Sequence, residues 1–199
     1  LADIVAGLND RLGDGTYDYV DAGVNSVVGT DAIKVGIVYR PAAVTPVGAP
    51  AILDSAEFLD PNATGADRNR AAVAQSFVEN ASGEVLSVVV NHLKSKGSAC
   101  DEEGEDTLAG ACDVTRTLAA GVLADWLATS PTGVADADWM ILGDLNSYDH
   151  EAPIGVLEAA GYTDLAGVYG GEYAYSYVFD GQYGYLDYAM SSSSLTPQV

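Results

Sequence analysis

Positive charge is what this sequence has least of. Its 199 residues include 8 Lys and Arg against 29 Asp and Glu, a formal net charge of −21. Passive, sequence-independent binding to nucleic acid needs many cations to displace counterions from phosphates, so that function class is excluded. Enzymes acting on phosphates are not excluded, because an acidic cleft loaded with divalent cations presents positive charge locally. Long apolar runs are missing too. None approaches the ~20 residues that a membrane-spanning helix needs, so no membrane partner is expected. Histidine and cysteine occur twice each, too few for a zinc site. Repeats, heptads and Pro-rich linkers are also absent. With 48% apolar and 19% charged residues the chain has the balance of a globular domain, and its length fits a single domain over residues 1–199. It opens at Leu1 without Met or a basic-then-apolar leader, which suggests an excerpt from something longer.

What is present is an alternation of short strands and helices. Ile4, Val5 and Leu8 at helical spacing predict a helix over Asp3 to Leu12, stopped by Gly13. Ile33 to Tyr39 alternates as a strand, closed by Arg40-Pro41. Ala72 to Glu79 and Val85 to Val90 read as two more strands around the turn Asn80-Ala81-Ser82-Gly83. The second is almost continuously apolar, as in a strand buried on both faces. A polar, acidic loop from Gly97 to Asp113 precedes the clearest helix. Asp113 is its expected cap, and Leu118, Val122, Leu123, Trp126 and Leu127 its expected apolar face. Trp139 to Leu142 is another buried-type strand, and Pro153 to Gly161 a shorter helix. The Tyr-rich tail from Tyr173 to Met190 predicts a hairpin turning near Asp180-Gly181-Gln182. Most of the 12 tyrosines are thereby assigned to strands, which favour Tyr. Such interleaving indicates an α/β layered architecture, in which loops at strand ends carry the chemistry.

Two strand ends stand out. After the strand at Val90 come Asn91, His92, Lys94, Ser95 and Lys96, a titratable imidazole beside two of the few cations, as an anionic substrate requires. After the strand at Leu142 come Asp144 and Asn146. In an extended chain residues two apart point the same way, so the pair could converge on one water, metal or phosphate oxygen. The same pair also suits an Asx turn. His150, in Tyr148-Asp149-His150-Glu151, reads as a surface residue, and Trp126 and Trp139 as core.

In order along the chain, Asn91-His92-Leu93-Lys94-Ser95-Lys96-Gly97, Gly143-Asp144-Leu145-Asn146 and Gly184-Tyr185-Leu186-Asp187 resemble the endonuclease/exonuclease/phosphatase superfamily. The likeness is closest to its bacterial extracellular deoxyribonuclease branch. Gly29 to Tyr39, Asp67-Arg68-Asn69-Arg70, Ala74 to Phe77 and Tyr175 to Gly181 extend it over nearly the whole chain. The resemblance implies an α/β fold, a DNase I-like four-layer αββα sandwich missing N- and C-terminal strands, with a metal-dependent phosphodiesterase site at one end of the sheets. His92 is similar to the family's phosphate-contacting His, a proton donor to the leaving oxygen. Asp144 would orient or deprotonate the attacking water, and Asn146 would hold the phosphate or a metal. Arg70 resembles the family's phosphate-contacting Arg, with Lys94 as a second phosphate contact, and Asp187 the carboxylate that orients a C-terminal His. Asp144 and Asn146 are the implied ligands of Mg2+ or Mn2+, with Ca2+ as a further candidate.

The departures are the family's N-terminal Asn strand, its metal-binding Glu and its closing Ser-Asp-His, none of which has a counterpart here. Tyr188 replaces the His usual in that branch after Asp187, and a phenol with a pKa near ~10 cannot act as an imidazole at neutral pH. The implied substrate is DNA, the implied location extracellular, and Cys100 and Cys112 match a disulfide pairing of that branch. Asp101, Glu102, Glu103, Glu105 and Asp106 read as a solvated acidic loop rather than an ordered calcium loop. Alone, the 199 residues are expected to be weak or inactive, and sheet edges left open could pair with a second copy. The rival expectations are a phosphatase or phosphodiesterase acting on lipid or nucleotide substrates, and a non-catalytic module that keeps the fold.

Overall fold

The computed structural model describes residues 1–23, 32–100, 108–179 and 181–199. In chain order the elements are α1 (Ala2–Leu12), β1 (Asp18–Tyr19), β2 (Val38–Tyr39), β3 (Val44–Leu53), α2 (Ala56–Leu59), β4 (Ala72–Glu79) and β5 (Val85–His92). There follow α3 (Asp113–Leu127), β6 (Trp139–Asp144), α4 (Ala152–Ala159), β7 (Tyr162–Asp164), α5 (Leu165–Gly170), β8 (Tyr177–Phe179), β9 (Gln182–Gly184) and β10 (Asp187–Ser192). The predicted acidic loop from Asp101 to Asp106 and the turn residue Asp180 lie outside the described residues.

The β-branched runs build the centre. Six strands form one sheet in the order β3-β4-β5-β6-β10-β7, in which β5 and β6 are parallel and the other neighbours antiparallel. On one face Val89, Ile141 and Met190 pack against Ala119, Ala120, Leu123 and Leu127 of α3 and Ile154 and Leu157 of α4. On the other, Val73 and Phe77 meet Val20 and Ile37, so the β1–β2 ribbon covers part of the sheet. Outside that ribbon lies α1, tied to it where Asn9 exchanges hydrogen bonds with the Tyr17 backbone. The layers thus run helix, ribbon, sheet, helices, with the second sheet represented by two strands among the described residues.

Three local expectations change. Of Ile33 to Tyr39 only Val38–Tyr39 is strand, because β1 offers a ladder partner just two residues long. β3, unforeseen because Pro46 and Pro50 argue against a central strand, sits at the sheet edge, where a missing N–H costs nothing. The tail divides: β8 and β9 form the hairpin, while β10 joins the main sheet between β6 and β7. In α3 the buried stripe is Thr115, Arg116, Ala119, Ala120, Leu123 and Leu127. Leu118, expected in the core, is 44% exposed. Cys112 takes the cap position and Asp113 becomes the acidic residue of the first turn.

Candidate active site

Three strands terminate side by side at one pole of the sheet. His92 closes β5, Asp144 closes β6 and Asp187 opens β10, with His92 and Asp187 the register partners of Asp144 on its two sides. His92 Nε2 stands 3.6 Å from Asp144 Oδ2, and both side chains remain partly open to solvent. The glycine before Asp144 has a steric reason. Gly143 has φ +120°, and a Cβ there would lie 2.1 Å from the Asn91 carbonyl oxygen, so only glycine lets β6 approach β5 this closely. Burial raises the proton affinity of Asp144, and the Asp187 charge adds to it. A hydrogen bond from the Asn146 backbone and the His92 and Arg70 charges oppose the shift.

Asn146 reaches the site by a turn rather than the expected extended run. Its φ is +49°, its N–H donates to Asp144 Oδ1 at 2.8 Å, and its Nδ2 donates to the Leu93 carbonyl at 3.0 Å. The Asx turn and the convergence are therefore one arrangement, with the amide nitrogen anchored and the amide oxygen turned the other way.

The cations arrive on loops stitched to these strand ends. Arg70 donates through its backbone N–H to the His92 carbonyl and through Nη1 to the Leu93 carbonyl, both at 3.3 Å. Its buried neighbour Asn69 donates to the Phe58 carbonyl and accepts from the Lys94 N–H, each at 2.8 Å. Lys94 Nζ donates to Ser98 Oγ at 2.7 Å. Its proton affinity falls because of burial, then because Arg70, Arg68 and Arg116 crowd it with like charge. Lys96 is committed elsewhere, bonded to Glu151 and to the Ala109 carbonyl, with its ammonium 5.1 Å from the centre of the Tyr148 ring.

Sequence reasoning missed Arg116. It is 0% exposed, and its guanidinium donates to Ser147 Oγ (3.2 Å) and to the carbonyls of Lys94 (3.2 Å), Ala111 (2.6 Å) and Ala109 (3.3 Å). One buried cation thus ties together the loops that carry Lys94 and Asn146. Its only signal in sequence is a long cation within an otherwise small-residue stripe of α3. Tyr188 is likewise architectural: buried, with its phenol pushed up by burial, it donates to the Ser147 carbonyl at 2.9 Å. His150 is exposed, as expected. Cys100 and Cys112 stand at disulfide distance, with Cα atoms 5.2 Å apart, at the border of the loop whose carbonyls hold Arg116.

A cleft of about 440 Å³ opens beside these strand ends, walled by Lys96, Asn146, Tyr148, Tyr177, Gln182 and Leu186 among others. The Tyr148 ring abuts Gly184, where a Cβ would come within 2.6 Å of its edge. Among the described residues no group of three or more His, Cys, Asp and Glu converges as a cation cage. The neighbouring Asp144 and Asp187 are oxygen donors of the kind hard divalent cations take, and one or two carboxylates completed by waters suit Mg2+ or Mn2+.

No protein-family model matches the sequence, and no curated protein matches it significantly. The fold does match solved structures. An endonuclease/exonuclease/phosphatase family protein from Bacteroides thetaiotaomicron superposes with TM-score 0.61 at 15% identity, over 97% of this chain and 66% of that one. TDP2 from D. rerio, complexed with single-strand DNA product, gives 0.59 at 18% identity over 97% and 68%. A mannosyl-6-phosphatase from Bacteroides thetaiotaomicron gives 0.61 at 15% over 97% and 68%. The chain has their DNase I-like α/β fold and spans about two thirds of their length.

Proposed function

We propose that residues 1–199 form one phosphodiesterase domain that uses Mg2+ or Mn2+ and has DNA as its substrate. The observation that carries this reading is where the scarce cations go. In a chain of net charge −21, Arg68, Arg70 and buried Arg116 stand close enough to Lys94 for their charge to add to burial in lowering its proton affinity, beside the imidazole and carboxylates at the strand ends. Holding like charges together costs free energy, and a bound phosphate anion recovers it.

In this reading Arg70, Lys94 and the Asn146 amide hold the phosphoryl oxygens. Asp144, ionised but with raised proton affinity, orients the attacking water and takes its proton as oxygen adds to phosphorus. His92 delivers a proton to the leaving oxygen as its bond to phosphorus breaks. Asp144, with Asp187 and the Asn146 oxygen at hand, would hold the divalent cation, which supplies charge neutralisation at the phosphate. The Cys100–Cys112 pair supports an exported protein, since such pairs persist in oxidising compartments.

The test is hydrolysis of plasmid DNA, RNA and a panel of phosphomonoesters with Mg2+ and with Mn2+. Diesters should be cleaved in preference to monoesters, with Asp144→Ala and His92→Ala each lowering the rate by about 100-fold or more. The fold shared with a mannosyl-6-phosphatase supports monoester hydrolysis as the second reading. Faster cleavage of the monoesters decides for it. Residues 1–199 alone are expected to cleave weakly or not at all, so phosphate binding without hydrolysis of any ester decides for a binding module only in a chain extended to the length of the solved structures.

A further inference from the structure

Asn146 holds a backbone conformation that a residue with a Cβ avoids. Its φ of +49° lies in the left-handed region, which asparagine tolerates better than most residues but does not select. The residues on either side are both fixed. Before it, the Leu145 N–H donates to the Leu186 carbonyl at 2.8 Å, one step beyond the last ladder pair of β6 and β10. After it, Ser147 is 0% exposed and is gripped from two elements. Its hydroxyl accepts from Arg116 Nε of α3 at 3.2 Å, and its carbonyl accepts from the Tyr188 hydroxyl of β10 at 2.9 Å. Asn146 is thus the link between two anchored neighbours, and the chain turns there.

The two grips differ in what else they do. Arg116 also binds the carbonyls of Lys94, Ala109 and Ala111. The Tyr188 ring, 4% exposed, fills the core on the face it shares with Met190, a space that Phe would fill as well. Its hydroxyl, among the described residues, donates to Ser147 alone. An edge-to-face contact with Tyr185, centroids 5.0 Å apart, keeps the ring from swinging, and Tyr185 is itself bonded to Asp164. Burial raises the proton affinity of the Tyr188 phenol, so the donor stays protonated through the neutral range. We infer that Tyr188 is a positioning residue: through the Ser147 carbonyl its hydroxyl fixes the left-handed turn at Asn146 and aims the amide there. That this amide serves a phosphate rests on the phosphodiesterase reading; the turn itself does not.

The test compares two buried hydroxyls. Tyr188→Phe removes the one bonded to Ser147, and Tyr185→Phe the one bonded to Asp164, which caps α5. Amide hydrogen exchange, followed by NMR on the full chain, reads the turn through the Asn146 N–H that donates to Asp144 Oδ1. In Tyr188→Phe this amide should exchange about tenfold faster while amides in the middle of β5 and β6 keep their rates. In Tyr185→Phe it should exchange as in the parent chain. Calorimetric titration with inorganic phosphate should show about tenfold weaker binding in Tyr188→Phe and in Asn146→Ala, and no further loss in the double variant. An unchanged Asn146 amide in Tyr188→Phe, equal effects of the two phenylalanine changes, acceleration spread evenly over the core, or additive phosphate losses overturns the assignment. So does an Asn146 amide that exchanges freely in the parent chain, a result that needs no variant. Faster exchange confined to the turn, in a chain that binds no phosphate, upholds the positioning and overturns the phosphate role of Asn146 instead.

Discussion

At Asp144, burial and the Asp187 charge both oppose ionisation. A carboxyl whose folded proton affinity is raised binds its proton more tightly in the native than in the unfolded chain. The associated stability is present in full below the unfolded pKa near ~3.9 and is lost as pH rises through the higher folded value. Asp144→Asn keeps the oxygen that accepts from Asn146 and removes the charge. Expected is a rise in Tm of a few degrees (about 1–3 °C) at neutral pH in chelator, disappearing below about pH 4, in thermal melts across pH. Added Mg2+ should raise the Tm of the parent chain and leave this variant unmoved. A second residue, Arg116, is held by carbonyls contributed by Lys94, Ala109 and Ala111. Arg116→Met fills the volume but leaves these acceptors buried without a donor. It should cost on the order of 3 kcal/mol in urea unfolding and weaken inorganic phosphate binding at Lys94.

Among the elements, the pole owes its geometry to strand register. With β5 and β6 parallel and β10 antiparallel to β6, the end of β5, the end of β6 and the start of β10 must coincide, and His92, Asp144 and Asp187 with them. Among its described residues the loop from β5 to α3 has no such ladder, and Cys100 and Cys112 close it instead. Reduction should lower stability by about 3 kcal/mol and loosen the carbonyl cradle of Arg116. Thiol alkylation before and after reductant, with urea unfolding in each state, checks both halves of this. At the sheet margins, β3 carries Pro46, Gly48 and Pro50, and β7 is three residues long. Such edges are blunted against pairing with a second copy, and the expected self-association finds no support in them.

On the scale of the whole molecule, self-repulsion from a net charge of −21 opposes compaction, and salt screens it. Raising NaCl from about 0.05 to 0.5 M, through which the Debye length falls severalfold, should raise the Tm. Much of the architecture is legible in the sequence, for identifiable reasons. The strands at Ala72, Val85 and Trp139 are short, mostly apolar stretches, too short for a helix of ordinary length, and turn or polar segments mark where they end. β3 was hidden by its prolines, whose permission to sit in a sheet depends on an edge that no local pattern reveals. Arg116 was hidden because a cation is buried only where distant carbonyls meet it. The exposure of the tail tyrosines was not legible, because assigning Tyr to a strand says nothing of whether anything covers its face.

Residue chemistry and periodicity alone settled the α/β class, the strand ends that matter and the shortage of cations. Those properties are written in neighbouring residues, and local forces suffice for them. Tertiary packing decided that His92, Asp144 and Asp187 stand abreast, that Asn146 enters by a left-handed turn, and that Tyr175 and Tyr183 face water. Each of these depends on which strand lies next to which, a choice made by burial summed over the whole chain.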